Sequence, residues 1–302
     1  MWPMLVHGPS PRRIHNLQIN MKPLLSVVLM LVSSALCAAE RLQNIAYYSP
    51  EFPGSGDLQY RAERCKLDVC IPDKAADEKL PTIVWFHGGG LSGGEKHIIE
   101  DFTKHKIIVV AVNYRLFPKA SKPDFIEDAS AAVAWTFANI EKHGGDKSKI
   151  NVAGHSAGGY LAMMIGMNPQ YLAKHDRKNT DIAALFPISG QATTHFAIVG
   201  AAHAEQGKSR PANFRRDNPI LVDDFAPLRY TDQKLPPMHL LCGDPKLEWP
   251  ARVEENALMA AMIRTVTDHN VIEFRSFENT DHGSCLGPSV KYICEAIGGA
   301  KD

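Results

Sequence analysis

Residues 150–167 read INVAGHSAGGYLAMMIGM, and the order of residue types in that stretch decides the fold. A short apolar run, Ile150–Ala153, leads into Gly154-His155-Ser156-Ala157-Gly158, and a helical pattern covers Ala157–Met167. A strand, a sharp turn and a helix in that order leave a serine hydroxyl exposed at the top of a sheet. Glycines on both flanks keep Cβ atoms out of the crowded turn. The helix N-terminus then points its free N–H groups at developing negative charge. A lone GxSxG has many accidental matches, whereas one with this strand before it and this helix after it is specific. Ser156 is the candidate nucleophile.

Outward from that turn the same rhythm repeats. From about residue 65 the strand candidates are Leu67–Ile71, Thr82–His87, Ile107–Tyr114, Ile150–His155, Ile182–Ser189, Met238–Gly243 and Ile272–Glu278. Several are continuous apolar runs (TIVWF, IIVVAV, IAALF), as strands covered on both faces require. Helical patterns fall between them at Phe125–His143, Ala157–Met167, Pro250–Val266 and Ser289–Ile297. The first is bounded by Pro123 and Asp124 before it and Gly144–Gly145 after it. This alternation predicts an α/β fold: a mostly parallel sheet of about seven or eight strands with helices on both faces. Residues 190–236, loop-rich and polar, interrupt the rhythm between two strands. Ligands of such sheets bind at the carboxyl ends of the strands, so this insertion is expected to form a small cap over the site.

Two further motifs complete a chemistry. His87-Gly88-Gly89-Gly90 follows the strand TIVWF, and a glycine-rich turn there can bring backbone N–H groups of Gly89 and Gly90 to a substrate carbonyl. With the N–H of Ala157 they would form an oxyanion hole. A phosphate-binding role is disfavoured by the absence of GxxxxGK[ST] spacing and by the place of the turn upstream of GxSxG, as acyl-transfer sites of this fold require. Asp281-His282-Gly283 follows the last strand. A serine hydroxyl needs a base to take its proton, and a histidine works near neutral pH, so His282 is the candidate base. The third group, an acid to orient that base, is expected after Met238–Gly243, in GDPKLEWP (243–250). Glu248 is favoured for its longer side chain, and Asp244 is the alternative. Either could instead cap the helix that follows.

These segments resemble the α/β-hydrolase superfamily of esterases and lipases. The chain is most similar to the branch holding hormone-sensitive-lipase-like esterases, feruloyl- and acetyl-xylan-esterase-like proteins and arylformamidases. VWFHGGGLSGGEK (84–96), VVAVNYRLFPKA (109–120), IEDASAAVAW (126–135), GHSAGGYLA (154–162) and DHG (281–283) carry the likeness. The resemblance implies the α/β-hydrolase fold, with Ser156 as nucleophile, His282 as base, and Gly89, Gly90 and Ala157 as oxyanion hole. It implies a serine carboxylic-ester hydrolase acting through an acyl-enzyme on small esters or ester decorations of polysaccharides. An arylformamidase-like amide hydrolase is the alternative within the class, and a non-catalytic interaction protein the alternative outside it. Asn113-Tyr114-Arg115 and Asp128 would hold loops and caps. The departure is Lys246, which stands where the branch usually has its acid.

Composition narrows the partners. The chain has 302 residues with Lys+Arg 33 against Asp+Glu 33, so the basic excess that a nucleic-acid partner demands is missing. No Cys pair is followed by a His pair at zinc-finger spacing and no His pair reads HExxH, so neither metal nor cofactor is expected. Residues 24–36, LLSVVLMLVSSAL, lie behind Lys22 and before Ala38 and Ala39. A positive flank, a short apolar run and a small-residue exit read as a secretory signal peptide, too short for a permanent span of about 20 residues. Met21 is the expected start, with residues 1–20 an upstream extension and cleavage near Ala39–Glu40. The domain then runs 40–302, and the protein is exported to the periplasm or secreted. Lipoprotein anchoring at Cys37 is the lesser alternative, because Leu36 is larger than such sites prefer. Residues 1–39 hold Arg12, Arg13 and Lys22 and no acid, which leaves a net charge of −3 on the remainder. Five cysteines would remain. Cys65 and Cys70, on opposite faces of one extended stretch, cannot pair, and Cys285–Cys294 is a possible bridge.

Overall fold

The computed structural model describes residues 39–49, 51–53, 56–74, 77–205, 221–267 and 272–298. The apolar run at 24–36, Cys37 and residues 206–220 of the expected cap lie outside them. Among the described residues eight strands make one sheet: β1 (Glu40–Ala46), β2 (Lys66–Ile71), β3 (Leu80–Phe86), β4 (Ile108–Val112), β5 (Gly145–His155), β6 (Ala184–Ile188), β7 (Met238–Cys242) and β8 (Ile272–Ser276). Their spatial order is β1-β2-β4-β3-β5-β6-β7-β8. β1 and β2 run antiparallel to their neighbours, and from β4 to β8 every pairing is parallel. The helices are α1 (Leu58–Arg64), α2 (Glu100–Lys104), α3 (Asp124–Asn139), α4 (Ala157–Met167), α5 (Pro169–Ala173), α6 (Phe196–Glu205), α7 (Arg252–Val266) and α8 (Leu286–Gly298). This is the expected α/β-hydrolase arrangement.

The continuous apolar runs are explained by a core on each face. Along β3, Val84 and Phe86 join one layer with residues of α3 and α4, while Ile83 and Trp85 join the other with Phe102 of α2 and Val290 and Ile293 of α8. Successive side chains of a strand point to opposite faces, so a strand with helices on both sides has no polar face to alternate with. Across the centre, Val110, Val84, Val152 and Leu185 stand in register on β4, β3, β5 and β6, all fully buried. Each such side chain contributes about 1.5–3 kcal/mol by leaving water.

The elements that differ from expectation have short or mixed patterns. β1 was not anticipated: only Leu42 and Ile45 pack on the core, and a register shift between them breaks the alternation. α1, α2 and α5 are only 7, 5 and 5 residues long, too short for a helical period to register. The helix expected at Phe125–His143 is α3 followed by a 3₁₀ turn, Ile140–His143, which Gly144 ends at φ 80°. The stretch 190–236, expected to be a loop-rich cap, carries α6. The cysteine expectations need correction too. Cys65 caps the C-terminus of α1 and is not part of the strand. Cys285 and Cys294 do not bridge: Cys285 Sγ lies 3.3 Å from Ser189 Oγ, whereas Cys294 Sγ on α8 reaches the Asp101 carbonyl on α2. The two thiols serve different neighbours, and the five described cysteines are all free and buried.

Candidate active site

Parallel strands bring the expected residues to one end of the sheet. His87 follows β3, Ser156 follows β5, Glu248 lies in the loop after β7, and His282 lies in the loop after β8. All four sit beyond carboxyl ends, where an α/β sheet places its ligand crevice.

Ser156 turns the chain from β5 into α4 with φ 57° and ψ −116°, a region that residues with side chains rarely occupy. Close backbone approach makes that turn possible. A Cβ on Gly158 would collide with the Phe86 carbonyl oxygen, and one on Gly154 would strike the backbone of Gly158. The ends of β3 and β5 and the first turn of α4 thus touch backbone to backbone. Ser156 N–H donates to the Ile188 carbonyl on β6 at 2.8 Å, and its own carbonyl accepts from Tyr160 N–H in the helix.

The hydroxyl of Ser156 is 2.9 Å from His282 Nε2, and His282 Nδ1 is 2.7 Å from Glu248 Oε1. Of the two candidate acids, Glu248 faces the base. Its side chain is fully buried and its four acceptor positions are occupied. Oε1 also accepts from Trp249 N–H at 2.8 Å, and Oε2 accepts from Ser189 Oγ at 2.6 Å and Gly243 N–H at 3.2 Å. Burial by itself would raise this carboxyl. The bonds from His282, Ser189 and Trp249 outweigh it and hold the acid at about 2. Asp244 lies on the other side of the turn. Its oxygens accept from Lys246 N–H and Asn279 N–H, both at 2.9 Å, so it ties the acid loop to the loop that carries the base. Asp281 likewise folds its own turn, accepting from Gly283 N–H, Ser284 N–H and Ser284 Oγ.

Beside the serine stands the glycine turn. Gly89 has φ +109° and a Cβ there would collide with the Gly93 carbonyl; a Cβ on Gly88 would lie 3.4 Å from Ser156 Cβ. Gly90, with φ +63°, lies against the ring of Phe196 on α6. Ala157, the first residue of α4, directs its N–H out of the helix as all first-turn residues do. The three N–H groups expected to form an oxyanion hole therefore belong to the turn and the helix end that flank Ser156.

Asn113, Tyr114 and Arg115 hold loops, as expected. Tyr114 Oη donates to the His87 carbonyl at 2.8 Å, and its ring stacks on the His87 ring at 4.4 Å. Asn113 accepts from Lys96 N–H and donates to Glu95, closing the far end of the glycine segment. Arg115 and Asp128 form a buried, two-pronged ion pair. Three neighbours were not legible beforehand: Trp249, whose ring stacks on His282 at 4.0 Å; His155, whose Nε2 contacts the His282 carbonyl at 2.6 Å; and Ser189. Trp249 and Ser189 belong to no motif, and His155 occupies the variable position of GxSxG. Among the described residues no group of three His, Cys, Asp or Glu side chains is arranged to hold a metal ion, and no helix is long and apolar enough to cross a membrane.

The BD-FAE family profile matches residues 67–247, from β2 into the loop after β7 and one residue short of Glu248. The chain belongs to the BD-FAE family. Relatives of this BD-FAE chain include the esterase LipC of Mycobacterium tuberculosis, 33% identical over 134 residues, which are 41% of this chain and 33% of LipC. The carboxylesterase NlhH of the same organism is 40% identical over 93 residues, 29% of each chain. The BD-FAE chain thus matches about a third of the length of these relatives. Thermogutta terrifontis esterase 2, in its tabun-phosphoramylated structure, shares the fold with TM-score 0.61 at 20% identity, over 86% of this chain and 94% of that one.

Proposed function

We propose that this chain is a serine carboxylic-ester hydrolase that works through an acyl-enzyme. The observation that carries the proposal is the unbroken line Ser156 Oγ, His282, Glu248, with links of 2.9 and 2.7 Å, ending on a strained serine beside a glycine turn. Support also comes from the family and from relatives named as esterases. His282 Nε2 takes the hydroxyl proton as Ser156 Oγ attacks the ester carbonyl. The N–H groups of Gly89, Gly90 and Ala157 receive the tetrahedral oxyanion, a role in which one donor is worth about 3–4 kcal/mol. His282 returns the proton to the leaving alcohol, then activates the water that frees the acid. Glu248 keeps His282 in the right tautomer and stabilises its imidazolium form.

Substrates are small esters or ester decorations of polysaccharides, met outside the cell after residues 1–39 are removed. Hydrolysis of p-nitrophenyl acetate should fall by about 10⁴-fold or more in S156A. Wild-type rates in S156A would refute the mechanism. Acetyl, butyryl, feruloyl and formyl-anilide substrates compared side by side read the acyl and amide preference. N-terminal sequencing of the protein from the periplasm or medium tests export, with Glu40 the expected first residue.

A further inference from the structure

His282 is carried by a turn, not by a helix or strand, yet its ring must meet two partners at once. The bonds at Nδ1 and Nε2 fix the ring at its two nitrogens but leave it free to rock about the line that joins Glu248 to Ser156. Stopping that motion takes further contacts, on the face of the ring or on the backbone of the turn.

Two side chains outside the serine–histidine–acid line meet this need. The indole of Trp249 lies parallel to the imidazole, 4.0 Å away at an interplanar angle of 18°. The same residue's backbone N–H donates to Glu248 Oε1, the oxygen that faces His282 Nδ1. One residue therefore sets both the acid and the plane of the base. From β5, His155 reaches the backbone of the same turn, with Nε2 2.6 Å from the His282 carbonyl oxygen and the two rings 4.9 Å apart. A carbonyl only accepts, so His155 Nε2 carries the hydrogen. Burial above all, and then the neighbouring His282, push His155 down to about 4, so it stays neutral beside a base that must become charged. Glu248, Arg252, Asp281 and Cys285 are the other ionisable groups around this turn. Arg252 pairs with Glu255 on α7, and Cys285 Sγ lies 3.4 Å from the His282 carbonyl.

We propose that Trp249 and His155 are positioning residues that clamp His282, Trp249 through its ring face and His155 through the backbone carbonyl. The proposal rests on the serine-hydrolase mechanism above. The contribution of the two residues is to keep Nε2 aimed at Ser156, so their loss should lower turnover more than substrate affinity.

The test measures kcat and KM for p-nitrophenyl acetate in variants that match the parent in far-UV circular dichroism and cooperative melting. W249L should lose about 10²-fold in kcat with KM within about threefold of the parent, and W249F, which keeps an aromatic face, should recover at least about tenfold of that loss. H155Q, whose amide can still donate, should retain more kcat than H155L. A kcat in W249L within about threefold of the parent overturns the clamp, as does a loss confined to KM or equal damage in W249F and W249L. If W249L does not fold, W249M against W249F reads the same difference. S156A separates the two levels. Full activity there overturns the mechanism and the clamp together, whereas an inactive S156A with an unimpaired W249L overturns the clamp alone.

Discussion

Ser156 sits in a backbone conformation that costs of order 1–3 kcal/mol for a residue with a side chain, and only its packed surroundings hold it there. Glu248 shows what those surroundings supply: four donors on one buried carboxylate. Asp244, four residues earlier, has both oxygens on loop N–H groups instead. E248Q should therefore lose about 10³–10⁴-fold in kcat by disturbing the tautomer of His282, while D244N should lose less than about tenfold and chiefly soften the loop. Equal losses in steady-state assays would reject this division. The same carboxyl predicts a pH dependence. Its folded value of about 2 lies below the ordinary 4.5, so its stabilisation is complete above about 4.5 and is lost as pH falls through 2. Urea unfolding should show the advantage of wild type over E248Q shrinking across that window.

At the scale of elements, the glycine turn after β3 is held from β4. Tyr114 and Asn113, just past the end of β4, grip His87 and the Glu95–Lys96 segment, so a turn rich in glycine still has one conformation. Arg115 then locks the same connection to α3 through Asp128, which also accepts from Tyr48 Oη at 2.8 Å. The Arg115 and Asp128 side chains are 1% and 0% exposed, so removing Asp128 takes the two-pronged contact from a buried guanidinium and leaves it the longer 3.5 Å contact with Asp124. D128A should cost about 3–5 kcal/mol in urea unfolding at neutral pH. A cost below about 1 kcal/mol, typical of an exposed pair, would contradict that account.

Over the whole molecule, the five cysteines among the described residues are buried, unpaired thiols, in a chain proposed above to be exported. Burial raises several of them, Cys285 to about 11, so they resist oxidation in the folded state. The melting temperature should accordingly be the same with and without a reductant such as dithiothreitol, and a drop on reduction would reveal a bridge. Most of the fold was legible because strands buried on both faces write themselves as continuous apolar runs, and because GHSAG, HGGG and DHG each sit at a strand end. The positions of Ser156, His282 and the glycine turn at strand ends were legible for the same reason, and close backbone approach demands the glycines. β1, α6 and the short helices were not, since their packing depends on partners far along the chain. The choice between Glu248 and Asp244 was a matter of tertiary structure. Both carboxylates lie in one loop, and sequence spacing cannot say which side of a turn faces His282, 34 residues onward. The stacking of Trp249 and the reach of His155 belong to the same class, for a side-chain contact across two loops leaves no periodic mark. The sequence by itself determined the strand ends and the residue types they carry; only the parallel sheet, by bringing four such ends together, decided which carboxylate and which neighbours meet His282.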